Sequence, residues 1–103
     1  MGEAVGFLEV YGLTAAFMAA DAACKAGNIT IEAFDNNKPA NAEKLKVPLI
    51  VIVKIRGSIE DVKAGIEAGI TVASEVSGVV SSHVIARPEK DTEKLLKLQC
   101  FKK

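Results

Sequence analysis

The chain has 103 residues, half of them apolar, with thirteen basic side chains against thirteen acidic ones, one tyrosine and no tryptophan. The cancelled charge supplies no field to gather nucleic acid or an anionic membrane, and the shortage of aromatics removes the platforms on which bases stack. No apolar run approaches a membrane span, and the start Met-Gly-Glu-Ala lacks the regions of a signal peptide.

The length suits one domain over residues 1–103, of a size that often gains stability by oligomerising. Two cysteines, Cys24 and Cys100, make no disulfide framework, so cytosolic thiols are expected. Ala4–Tyr11 alternates loosely and reads as a strand that Gly12 breaks. Leu13, Ala16, Phe17, Ala20, Ala23 and Cys24 then recur at helical spacing, predicting an amphipathic helix over Leu13–Ala26 with Cys24 packed on its core stripe. Gly27 and Asn28 stop it.

Ile29, Ile31 and Ala33 alternate with Thr30, Glu32 and Phe34 as a second strand. Asp35–Val47, DNNKPANAEKLKV, is polar and aperiodic and reads as a loop. A loop that long in a small domain is uncommon and often functional. Pro48–Gly57, PLIVIVKIRG, is the most apolar stretch and predicts a central strand buried on both sides, with Pro48 tolerated at its first position.

Ser58 with Asp61 resembles a capping box, and Val62, Gly65, Ile66, Gly69, Ile70 and Ala73 form a second helical stripe. Its G-x-x-x-G spacing points to close helix–sheet or helix–helix approach, since Lys63, Glu67 and Glu75 exclude a membrane. Gly78 ends that helix. Val79–Arg87 is a fourth strand, with Val80, Val84 and Ala86 on one face and Val79, His83 and Ile85 on the other. Pro88 opens a short charged helix that Leu95, Leu96 and Leu98 can dock, and Gln99–Lys103 is a frayed tail. The order β-α-β-β-α-β plus a terminal helix predicts an α+β, ferredoxin-like fold with the first and third strands central.

No catalytic constellation is visible. His83 is the one histidine, without a partner near in sequence, and reads as structural; the cysteines lack metal-ligand spacing; no phosphate-binding glycine loop is present. No metal, cofactor or enzymatic activity is expected. Two functional classes compete on the fold alone. A PII-like signalling trimer would share a long loop between the second and third strands, but its glycine- and lysine-rich ATP-binding segments are missing. An acylphosphatase-like enzyme would need an anion-cradling loop where only Tyr11–Gly12–Leu13 stands.

Several stretches carry a family resemblance. Gly12–Asn28 (GLTAAFMAADAACKAGN), Val62–Gly69 (VKAGIEAG), Ser82–Pro88 (SHVIARP), Glu3–Glu9 and the terminal DTEKLL resemble the signature of bacterial microcompartment shell proteins, the single-domain hexamers of ethanolamine- and propanediol-utilisation shells. The resemblance implies a cyclic hexamer, a flat tile that joins edge to edge with itself and with other shell proteins into sheets. These would enclose enzymes in a cytoplasmic compartment and pass small metabolites through a central pore. It places Lys25, Asn28 and Arg87 at the hexamer edge, where lysine and arginine can donate to backbone carbonyls of a neighbour.

The chain departs from the family at the pore. The short glycine-rich turn of relatives is replaced by the longer loop, so the pore candidates are assigned by position alone: Asn36, Asn37, Lys38, Pro39, Ala40, Asn41, Glu43, Lys44 and Lys46. With Asp35 counted, this loop carries a net charge of +1 per chain, which a sixfold ring would repeat toward anionic metabolites.

Overall fold

The computed structural model describes residues 3–37 and 49–97. Its elements run β1 (Ala4–Tyr11), α1 (Leu13–Ala26), β2 (Ile29–Asn37), β3 (Ile50–Gly57), α2 (Ile59–Val76), β4 (Val79–Ile85) and α3 (Lys90–Leu96). The strands make one antiparallel sheet in the order β2-β3-β1-β4. This is the predicted ferredoxin-like α+β arrangement, with the two most apolar strands inside. All of β3 except the half-buried Ile52 is buried, because a central strand is covered on both faces and both edges.

The helices α1 and α2 lie on one face. Alanines 15, 16, 19, 20 and 23 of α1 and Val62, Ile66 and Ala73 of α2 share a core with Leu8, Val10, Val51, Val53 and Ile55. Small side chains let the layers approach closely. A Cβ on Gly6 would lie 2.8 Å from Val62 Cγ1 and 2.9 Å from Ile66 Cγ1, and one on Gly69 would lie 2.8 Å from Leu8 Cδ2 and 3.4 Å from the Ala19 carbonyl oxygen. The G-x-x-x-G spacing therefore serves helix–sheet and helix–helix packing at once. Gly12, at φ 91°, turns β1 into α1 in a region that favours glycine. Ser58 caps α2 by accepting from the Asp61 N–H at 3.1 Å, and its hydroxyl donates to Asp61 Oδ2 at 2.9 Å. The short α3 covers part of the opposite face.

Several sequence expectations are corrected. Strand β2 does not stop at Phe34: Asp35, Asn36 and Asn37 pair with Ile52, Val51 and Ile50. Asp and Asn are poor strand formers, but β3 offers a free ladder edge and tertiary pairing overrides propensity. A register shift between Ile31 and Ala33 breaks the expected alternation, leaving Ile31 exposed while Ile29 and Ala33 are buried. On α1 the core stripe is the alanine stripe; Phe17 and Cys24 are exposed. Phe17 instead meets Phe34 edge-to-face, ring centroids 5.1 Å apart. In β4 a shift opposite Glu9 and Val10 puts Val79 and Val84 both against the core, with Val80 exposed.

Strand β4 ends at Ile85, so Ala86 and Arg87 lie beyond it. The cap of α3 is Glu89, whose side chain accepts from the Asp91 N–H, and Pro88 precedes the helix rather than opening it. Leu96 docks as expected, but Leu95 is exposed. The expectations for 38–48 (Pro48 among them), Leu98, Cys100 and the tail fall outside the described residues.

Candidate functional site

Strand register fixes which residues share an end of the sheet. Gly57 pairs with both Ala4 and Ile29, and Val5 pairs with Ile85. The chain just before β2 and the chain just after β4 therefore leave the sheet at the same end. Asn28 lies there, exposed on the outer β2 side, and Arg87 lies there, exposed beyond β4. Across four strands these two corners are about 14 Å apart.

Lys25 stands near the C-terminus of α1, at the approach to the same end. There the α1–β2 turn presses on the first turn of α2, and a Cβ on Gly27 would lie 2.6 Å from the Asp61 carbonyl oxygen. The fold thus brings Lys25 and Asn28 to one corner and Arg87 to the other corner of one end. The Lys25 ammonium is 2.8 Å from Asp21 Oδ2 one helical turn back. This hydrogen bond and the carboxylate charge hold its pKa above the ordinary lysine value. Asp21 and Lys25 also border a shallow apolar groove lined by Phe17, Met18, Ala22 and Val72.

Of the pore candidates, Asn36 and Asn37 sit at the opposite end, where Ile50 pairs with both Asn37 and Tyr11. Eight strand residues separate the two ends by about 25 Å. Asn36 is exposed and its N–H donates to Asp35 Oδ1 at 2.9 Å. Asn37 ends the strand, and Lys38, Pro39, Ala40, Asn41, Glu43, Lys44 and Lys46 lie outside the described residues. Asp35 belongs to the sheet, with Oδ2 3.8 Å from Lys54 Nζ.

Sequence reasoning missed the largest electrostatic feature. Lys54 and Arg56 are both buried, on the face opposite α1 and α2. Arg56 makes a two-pronged pair with Glu93 of α3, Nη1 donating to Oε1 at 2.7 Å and Nη2 to Oε2 at 2.9 Å. Its Nη2 also donates to the Glu3 carbonyl at 3.3 Å, and Glu32 Oε1 stands 3.7 Å from Nη1. Lys54 Nζ donates to the Leu95 carbonyl at 3.4 Å, and Lys97 lies 3.8 Å from Glu32. Two cations two residues apart within an apolar strand were the available signal: period 2 puts both on one face, where they need acidic partners. Here those partners come from β2 and α3, so the pair fastens the terminal helix to the sheet.

The Arg56 hydrogen bonds hold the Glu93 carboxyl below its ordinary value of 4.5, and Glu93 in turn raises Arg56. A depressed folded-state pKa contributes stability that is complete above the unfolded value and lost as pH falls through the folded one. Protection of α3 amides from hydrogen exchange should therefore stay flat from pH 7 to about 5 and fall below about 4. Glu93→Gln should weaken it at neutral pH and flatten its acid dependence, since this pair then has no carboxylate to titrate.

Among the described residues no group of three or more His, Cys, Asp or Glu could hold a metal ion. His83 is exposed on β4, opposite Phe7. No described helix is long and apolar enough to cross a membrane.

Comparison with known proteins agrees with this architecture. The BMC domain family matches residues 4–88. The chain is 39% identical over 94 residues to the bacterial microcompartment shell protein PduA of Citrobacter freundii, covering 91% of each chain. It is 34% identical over 101 residues to the carboxysome shell protein CcmK2 of Synechocystis sp., covering 96% of this chain and 89% of the relative. A crystal structure of a microcompartment protein from Desulfitobacterium hafniense superimposes over 97% of this chain with a TM-score of 0.72 at 21% identity. The chain spans about half, 49%, of that protein's length.

Proposed function

The chain belongs to the BMC domain family of bacterial microcompartment shell proteins, and from that premise we propose that it works as a non-enzymatic tile: six copies close into a ring, and the rings meet edge to edge in a cytoplasmic shell. The observation that carries the reading is the opposition of the two sheet ends. A ring subunit needs one end toward the axis and the other toward the rim. Asn36 and Asn37, at the end of β2, are at one end; Lys25, Asn28 and Arg87 are at the other. The family match leaves the signalling-trimer alternative without support.

In this reading Lys25, Asn28 and Arg87 form the tile edge. Each donates to backbone or side-chain acceptors of a neighbouring ring, and Arg87 supplies a directed fork. Single exposed polar contacts are weak, but a ring engages several neighbours at once and their effects multiply. The edge would join copies of this chain and of other shell proteins, around encapsulated enzymes.

At the axis, Asn36, Asn37 and the segment 38–46 would line a pore for small metabolites. With Asp35 counted, the segment carries a net charge of +1 per chain, which a sixfold ring would repeat in favour of anions.

Lys25→Ala tests the edge. Light scattering should find the ring intact, because the side chain is exposed and buries no core, while electron microscopy should find sheets absent at concentrations where the unaltered protein forms them. Sheets of normal extent from this variant would remove Lys25 from the edge.

A further inference from the structure

We infer that Lys54 is the positioning residue for the strand end at the pore: acting through Asp35, its ammonium holds Asn36 and Asn37 on β3. The inference deepens the pore reading above and rests on it for the place of that strand end in the ring. Asp35, Asn36 and Asn37 are residue types that form strands poorly, yet all three pair with β3, Asn37 opposite Ile50. Lys54 is buried, with its Nζ 3.8 Å from Asp35 Oδ2. The same ammonium donates to the Leu95 carbonyl of α3 at 3.4 Å. Asp35 uses its other oxygen on the next residue, where Oδ1 accepts the Asn36 N–H at 2.9 Å. Ammonium, carboxylate and backbone amide thus form one line from α3 across β3 into the end of β2.

The strand register explains why the contact exists. Before the shift in β2, Ile31 stands opposite Ile55. Continued without a break, that register would set Asp35 opposite Val51, a member of the core. A carboxylate there would be buried among apolar groups at high cost. The shift between Ile31 and Ala33 instead sets Phe34 opposite Val53 and Asp35 opposite Ile52. Asp35 thereby joins the face of Lys54, two residues along β3 from Ile52 and within diagonal reach. An ion pair in open water would hold little. This one is sheltered, the Lys54 side chain being 7% and the Asp35 side chain 22% exposed, and sheltered pairs are screened much less. Without it the pairing would end at Phe34 opposite Val53, three residues or about 10 Å short of Asn37.

The test is hydrogen exchange, read by mass spectrometry, on the unaltered protein, Lys54→Met, Asp35→Asn and the double variant. Each single change is expected to speed exchange at least about tenfold in the peptide holding Asp35–Asn37, the size of a charge-assisted contact, while α1 and α2 keep their protection. The double variant is expected to exchange there no faster than the faster single one, because both changes remove the same contact. Should Lys54→Met lower protection throughout the chain, Asp35→Asn decides, since its side chain is the less buried of the two. Exchange in that peptide equal to that of the unaltered protein, or single effects that multiply in the double variant, would overturn the role of Lys54. A spin label at Asn36→Cys, with Cys24 and Cys100 replaced by serine, places the strand end separately. Short distances between labels of one ring, broadened by Lys54→Met, are expected. Long distances beside the expected exchange would overturn the pore reading and leave the hold of Lys54 on the strand end intact.

Discussion

Gly6→Val is expected to destabilise the subunit by about 3 kcal/mol, the upper end for overpacking a close-packed core. Gly6 sits on β1 beneath α2, and even a single Cβ there would stand 2.8 Å from Val62 Cγ1 and 2.9 Å from Ile66 Cγ1. Val62 is wholly buried and has no room to retreat. A valine adds two further carbons to the collision and forces α2 off the sheet. For a chain of this size the melting temperature should fall by roughly 12 to 20 °C, read at fixed protein concentration because assembly shifts it by mass action. Gly6→Ala should fall between. A Gly6→Val protein melting within about 3 °C of the unaltered one would show that α2 does not press on β1 as described.

Arg56→Ala is expected to cost about 3 kcal/mol and to release α3. Arg56 is buried at 8% exposure, and its guanidinium serves Glu93, the Glu3 carbonyl and, at longer range, Glu32. Removing one member of a buried pair leaves its partners uncompensated; the figure is at the low end of that range because water still reaches Glu93. Arg56→Lys should recover little, since a lysine cannot make the two-pronged contact. Hydrogen exchange would read the result locally, with α3 amides losing protection and α1 and α2 amides keeping theirs. Unchanged protection in α3 would mean that the docking of Leu96 alone holds this helix.

The elements that periodicity marks strongly were legible. Ala4–Tyr11 and Leu13–Ala26 were read to the residue, and the apolar PLIVIVKIRG identified the central strand and hence the strand order. What the sequence hid was set by neighbours. Asp35–Asn37 looks like a turn until β3 offers an edge to pair with. Phe17 looks like core until the alanine stripe is seen to fill the helix–sheet gap. The bulge in β2 cannot be read from a period-2 count, yet it places Glu32 and Asp35 beside Arg56 and Lys54.

The edge candidates came from family resemblance, because exposed polar residues on a turn carry no periodic signal. Their common position at one sheet end emerges only from the register. The buried cations were readable in principle, since a lysine and an arginine at alternate positions of an apolar strand must find acids on the same face, but their partners lie 37 or more positions away in one case and across a bulge in the other.

The most direct test of the tile is the assembly of the unaltered protein: mass in solution by light scattering, followed by electron microscopy of concentrated samples. Six chains of 10.9 kDa predict a particle of about 65 kDa, a closed ring of the kind symmetric oligomers favour, and then flat sheets of such particles. A monomer or trimer that forms no sheets at any concentration would contradict the account.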